Sequence, residues 1–147
     1  EAMEALNDKF RFYRENHGIM FSLGIDRVIG STTCTCKGTE NPGGEVELNY
    51  QLILVIVDRG KAEDVVEAAT AAGSRGGTII NARGSGIHET SKVFSMEIEP
   101  EKEIVMIISE IEKTEEIAAS VRDRLEMEKP GNGIIFIQDV SRTYGLY

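Results

Sequence analysis

YQLILVIVDRGKAEDVVEAATAAGSRGGTIINA, residues 50–82, decides the fold. QLILVIV is a continuous apolar run, the pattern of a central strand covered on both faces. Gly60 breaks it. Between Lys61 and Ala72, Ala62, Val65, Val66 and Ala69 fall at i, i+3, i+4 and i+7, which predicts an amphipathic helix. Gly73 suits its C-terminal cap. GGTIINA then reads as a second strand.

The next segment supplies the other half. RGSGIHETS, residues 83–91, predicts a loop. VFSMEIEP (93–100) alternates apolar and polar groups, which predicts a strand with one wet face. EIVMIIS (103–109) predicts another buried strand. Residues 112–127 predict a helix with Ile117, Val121 and Leu125 inward. KPGNG is a turn, and GIIFIQDV is the last strand. The order β-α-β-(β)-β-α-β forms two βαβ-like halves with both helices on one sheet face. That predicts an α/β (α+β) sandwich of the ferredoxin-like βαββαβ type.

Residues 1–30 repeat residues 116–145 without a gap. Identical pairs are Glu1/Glu116, Asp8/Asp123, Gly18/Gly133, Ile19/Ile134, Phe21/Phe136, Arg27/Arg142 and Gly30/Gly145. Chance would give about two, at roughly one match in 15–20 positions. Leu6/Val121, Lys9/Arg124, Phe10/Leu125 and Ile25/Val140 keep their chemistry. Met3, Leu6, Phe10 and Tyr13 predict one helical stripe over 1–14, and Gly18–Ile25 predicts a strand. The chain thus reads as the C-terminal half of one domain (1–30), a linker (31–49) and one complete copy (50–147). A chain opening on half a repeat is expected to be part of something longer.

Composition narrows the function classes. Net charge is −9, from 25 acidic against 16 basic residues, which disfavours a nucleic-acid-binding face. No run of about 18 apolar residues suggests membrane insertion. Cys34 and Cys36 supply two ligands where structural zinc takes four, so they read as reduced thiols in a linker of a cytoplasmic protein. His17 and His88 lie far apart, and no H-E-x-x-H, G-x-S-x-G, Walker A or C-x-x-C motif occurs. The expectation is a protein that is not an enzyme and needs no cofactor or metal. An acylphosphatase-like reading would rest on Arg83 and Asn81, which share a strand face merely by period two.

Two glycine-rich turns remain: Gly76-Gly77-Thr78 running through the second strand to Arg83-Gly84-Ser85-Gly86, and Lys129-Pro130-Gly131-Asn132-Gly133. Glycine lets backbone N–H groups approach an anion closely, and Arg83 or Lys129 adds charge. GGTIINARGSG before a loop, together with PGNGIIFIQDV at the far end, resembles the nitrogen-regulatory PII signalling proteins and their PII-like relatives. The likeness covers 50–147 in full and 1–30 as a half domain.

That resemblance implies a homotrimer with adenine nucleotide bound in clefts between subunits. It implies a mobile loop, here about 84–95, that controls a partner such as a transporter or metabolic enzyme. The matching ligand-site positions are Thr78, Gly84, Ser85 and Gly86 at the loop base and Gly131, Asn132 and Gly133 at the second turn; Arg83 and Lys129, read above for their charge, and His88 on the loop complete the expected ligand-binding set. Three departures stand out. The loop lacks a tyrosine, which withdraws regulation by uridylylation. His88 stands where the family has glutamine, and Ile134 where it has a phosphate-binding lysine. The alternative reading is a trimeric metal-responsive or structural module of the divalent-cation-tolerance type, in which Cys34, Cys36 and His88 would matter.

Overall fold

The computed structural model describes residues 2–15, 17–24, 49–84, 91–93, 96–98 and 100–146. The chain divides into two compact units, Tyr50–Gln138 and a smaller one made of Glu1–Asn49 with Asp139–Tyr147.

In the larger unit, β2 (Tyr50–Asp58) leads to α2 (Ala62–Ala71) and β3 (Thr78–Arg83). β6 (Glu101–Glu110), α3 (Ile111–Arg124) and the start of β7 (Ile134–Tyr144) complete it. The sheet order is β7-β2-β6-β3. β2 pairs antiparallel with β6 from Tyr50↔Glu110 to Asp58↔Lys102, and β3 pairs with β6 from Thr78↔Met106 to Arg83↔Glu101. This is the ferredoxin-like arrangement, and it follows from the two apolar runs. Strands that must be covered on both sides occupy the middle of the sheet.

The core lies between the sheet and its two helices. Ile53, Val55, Val57, Val105 and Ile107 alternate inward from β2 and β6 against Val65 and Ala69 of α2 and Ile117 and Val121 of α3. Each fully buried Val or Ile contributes about 1.5–3 kcal/mol. One polar pair is embedded there: the hydroxyls of Ser109 and Thr114 are 2.8 Å apart, and Thr114 also donates to the Glu110 carbonyl at 3.1 Å. These bonds satisfy the buried Thr114 hydroxyl; Glu110, at the start of α3, makes no side-chain cap. The Ser120 hydroxyl donates to Ala68 O at 2.8 Å and ties α3 to α2.

Neither α2 nor α3 covers the opposite sheet face of this unit. Leu54, Ile56, Ile104, Met106 and Ile108 are half-buried there. Ile80, Ile134 and Phe136 are 42%, 56% and 39% exposed. A strand alternating apolar residues toward both faces needs a second covering layer, and these strands do so.

Two expectations are corrected. VFSMEIEP is not one strand: β4 (Ser91–Val93) and β5 (Met96–Ile98) form a separate antiparallel pair, and the sheet strand begins at Glu101. Alternation alone cannot tell one strand from two legs of a hairpin. The helices also stop early. α3 ends at Arg124 rather than 127, and Glu126 adopts φ +50°.

In the smaller unit, α1 (Ala2–Phe10) is followed by β1 (Met20–Leu23). β1 pairs antiparallel with β7 from Met20↔Tyr144 to Leu23↔Val140. The predicted helix over 1–14 ends at Phe10 because Arg11 turns left-handed at φ +59°, which leaves Tyr13 off the stripe. The strand predicted at Gly18–Ile25 is observed as these four residues among those described. The linker with Cys34 and Cys36 lies outside the described residues.

Candidate functional site

The 84–100 excursion leaves and rejoins the sheet between β3 and β6. Arg83 opposes Glu101 in the ladder, and the Gly84 N–H donates to Pro100 O at 3.1 Å. The excursion is therefore closed at its base by main-chain pairing. Beside that base lies an open recess of about 400 Å³ lined by Arg59, Asn81, Ala82, Arg83, Glu101 and Lys102. It contains three cations and one carboxylate.

The charges are organised by strand ends. The Arg59 guanidinium donates to Glu101 Oε2, and the Arg59 N–H donates to Glu101 O at 3.1 Å. The hydrogen bond and charge of Arg59, with the field of Arg83, hold the Glu101 carboxyl below the usual carboxylate range. Lys102 Nζ donates to Asp58 Oδ1 at 2.5 Å. Glu103 Oε2 accepts from the N–H groups of Gly60 and Ala62 at 3.0 and 2.9 Å. A strand carboxylate thereby caps α2, whose own N-cap residue Lys61 makes no side-chain cap. Arg83 makes no ion pair within 4 Å among the described residues, so its charge faces the recess and solvent.

The second glycine turn is held by hydrogen bonds and by close packing at Gly133. Asn132 Nδ2 donates to Leu125 O and Glu126 O at 3.0 and 3.1 Å, which satisfies the C-terminal end of α3. Lys129 Nζ sits 2.6 Å from Glu126 Oε2. Gly133 has φ +138°, and a Cβ there would lie 2.5 Å from Ile56 O. Only glycine combines that conformation with that approach.

Arg83 and Gly84 stand at the recess, together with Asn81. Thr78 begins β3, about 17 Å along the strand from Arg83 at 3.3 Å per residue. The turn holding Lys129, Gly131, Asn132 and Gly133 abuts the end of β2, at the same end of the sheet as the recess. It lies about three strand spacings, roughly 14 Å, from β3. Ser85, Gly86 and His88 lie outside the described residues. Arg59, Glu101 and Lys102 escaped the sequence reading. Their signal was faint: charged residues at the end of one apolar run and the start of another, brought together only by antiparallel register.

The strand order, the two helices on one face and the charged recess at the base of an excursion define a ferredoxin-like α+β domain. Residues 50–146 match the family described as Nitrogen regulatory protein P-II, and the chain belongs to that family. Among solved structures it is similar to Arabidopsis thaliana PII bound to citrate, at 20% identity over 67% of this chain and 81% of that one, with a TM-score of 0.50. It is also similar to the B. subtilis GlnK-ATP complex, at 17% identity over 63% of this chain and 83% of that one, again with a TM-score of 0.50. At these identities the likeness speaks to the fold. No curated protein matches the chain. No helix among the described residues is long and apolar enough to cross a membrane.

Proposed function

We propose that the chain is a PII-type regulator rather than an enzyme, sensing a small anionic ligand and passing the signal to a partner protein through the excursion after Arg83. The observation that carries this reading is the cationic recess of Arg59, Arg83 and Lys102 at the excursion's base, in a domain matched to the P-II family over 50–146. Charge placed at the root of a loop lets a bound anion favour some loop states over others. That differential affinity is what signalling requires. Adenine nucleotide is the proposed ligand, with ATP and citrate in the similar solved structures as precedents.

The proposed working form is a homo-oligomer, most simply a trimer. The sheet face that α2 and α3 leave uncovered supports it, since Ile80, Ile134 and Phe136 need cover. Oligomerisation also answers the 14 Å gap, because a neighbouring copy can bring its own glycine turn to the recess. The proposed partner is a transporter or metabolic enzyme, and the proposed location is the cytoplasm. The family match favours this reading over the cation-tolerance alternative.

Thermal-shift and calorimetric titration with ATP, ADP, citrate and 2-oxoglutarate, alongside mass measurement in solution, test the proposal. A saturable rise in Tm with a nucleotide, weakened at least fivefold by Arg83→Gln, is expected. A chain that responds to none of these anions would overturn it.

A further inference from the structure

The turn after α1 and the turn after α3 are the same structure built twice. Arg11 and Glu126 both break their helices in the left-handed region, at φ +59° and +50°. Arg14 N–H donates to Arg11 O at 2.9 Å, and Lys129 N–H donates to Glu126 O at 2.9 Å. His17 N–H donates to Arg14 O at 3.3 Å, and Asn132 N–H donates to Lys129 O at 3.2 Å. His17 Nδ1 meets Phe10 O at 2.9 Å, where Asn132 Nδ2 meets Leu125 O at 3.0 Å. Gly18 and Gly133 then enter their strands at φ +97° and +138°. Each pair occupies matching positions of the 1–30 and 116–145 repeat. A shared helix-to-strand pattern alone does not dictate a left-handed non-glycine residue and a side-chain cap at the same steps.

The two copies differ in charge. Over residues 123–133 the balance is −1, from Asp123, Glu126 and Glu128 against Arg124 and Lys129. Lys129 is neutralised within the turn by Glu126, and Arg124 reaches Glu67 at 3.2 Å. Over residues 8–18 the balance is +1, from Lys9, Arg11 and Arg14 against Asp8 and Glu15. Arg11 stands where the other copy has Glu126, and Arg14 where it has Lys129. The ion pair of one turn is thus a pair of like cations in the other. The basic turn is also backed by protein. Gly145 has φ +82°, and a Cβ there would run into Gly18 O and lie 3.1 Å from Phe12 O.

We infer that Arg11 and Arg14, in the turn after α1, form a second anion site of this chain, for a polyphosphate group, and that theirs is the more cationic of the two equivalent turns. The inference rests on the ligand-sensing reading above only for its physiological setting; the charge argument stands on the repeat. Two guanidiniums three residues apart can each make paired hydrogen bonds to neighbouring phosphoryl oxygens. An exposed pair of this kind gives binding that weakens as salt rises.

The test is calorimetric titration of the full chain, at low salt, with inorganic tripolyphosphate and with ATP. The double variant Arg11→Gln/Arg14→Gln is expected to weaken tripolyphosphate binding at least tenfold. Lys113→Gln, on α3 and paired with Glu110 at 3.0 Å, serves as the unaffected control. If the double variant unfolds, Arg14→Gln alone is used, with a threefold or greater loss expected. A tenfold loss in Lys129→Gln with no loss in the arginine variants would overturn the inference and leave the regulatory reading standing. Tripolyphosphate bound through the arginines with no response to ATP, citrate or 2-oxoglutarate would do the reverse. Wild-type chain that binds no tripolyphosphate overturns the inference outright.

Discussion

Replacing Gly133 with alanine should destabilise the larger unit far more than the same change at Gly131, two residues away. Gly131 has φ +91° and no atom within 4 Å of a built Cβ, so Gly131→Ala carries the backbone term alone. That term is about 1–2 kcal/mol for a left-handed residue. Gly133 has φ +138°, a region that L-residues hardly visit, costing roughly 1–3 kcal/mol. Its Cβ would also meet Ile56 O at 2.5 Å, with Met127 Sδ and Val57 Cγ1 both at 3.1 Å. The thioether can swing aside, but the carbonyl belongs to a central strand paired along its length with β6. Relieving the clash means shifting a strand, roughly another 1–3 kcal/mol. The expected loss is about 2–6 kcal/mol, against about 1–2 for Gly131→Ala. Urea denaturation followed by circular dichroism measures both. At roughly 4–8 °C per kcal/mol, the two should also separate in Tm. If Gly133→Ala loses no more than Gly131→Ala, the packing account of this glycine is wrong, and a ligand is the better reason for it. The same arithmetic warns that bulky variants at Gly133 are poor probes of ligand binding, since they harm the fold first.

Other changes follow from the same contacts. Ile117→Ala, at a fully buried position, should cost about 2–5 kcal/mol in urea denaturation, and a loss under 1 would contradict the core described here. Glu103→Ala removes the acceptor for two N–H groups at the start of α2 and should cost about 1–2 kcal/mol; faster amide exchange at Gly60 and Ala62 would locate the effect. Because His17 and Asn132 play the same part, His17→Asn should keep the stability that His17→Ala loses, about 1 kcal/mol; equal stability of the two variants would count against the shared cap. The Glu101 carboxyl is held below its ordinary value of 4.5, so its attraction to Arg59 and Arg83 is present above that value and lost as pH falls through the lowered one. A carboxyl-carbon NMR titration of Glu101 with its midpoint at or above 4.5 would refute this.

The strands and helices of the larger unit were readable because burial imposes a period, and the period survives in the letters. QLILVIV and EIVMIIS announced a two-sided strand pair, and Ile117 and Val121 announced the inner face of α3. Helix ends were not readable in the same way. Nothing in the letters marks Arg11 or Glu126 as left-handed, because what selects that conformation is the pattern of bonds made by the turn beyond. The hairpin of β4 and β5 hid inside an alternation that fits either one strand or two. The recess needed register: Arg59 and Glu101 are far apart in sequence and become neighbours only when β2 and β6 pair. Asn132 stands out in the sequence for its neighbouring glycines, whereas in the structure its amide satisfies the end of a helix.

The closure of the excursion by the Arg83–Glu101 pairing and the Gly84–Pro100 bond makes the sheet indifferent to what lies between. With the two roots fixed, doubling the length of a connecting segment costs only about 0.6 kcal/mol of closure entropy. Descendants of this chain can therefore lengthen, shorten or rewrite the segment while inheriting the scaffold unchanged. For an engineer it is a grafting port: a foreign recognition peptide spliced between Gly84 and Pro100 would be presented beside the recess.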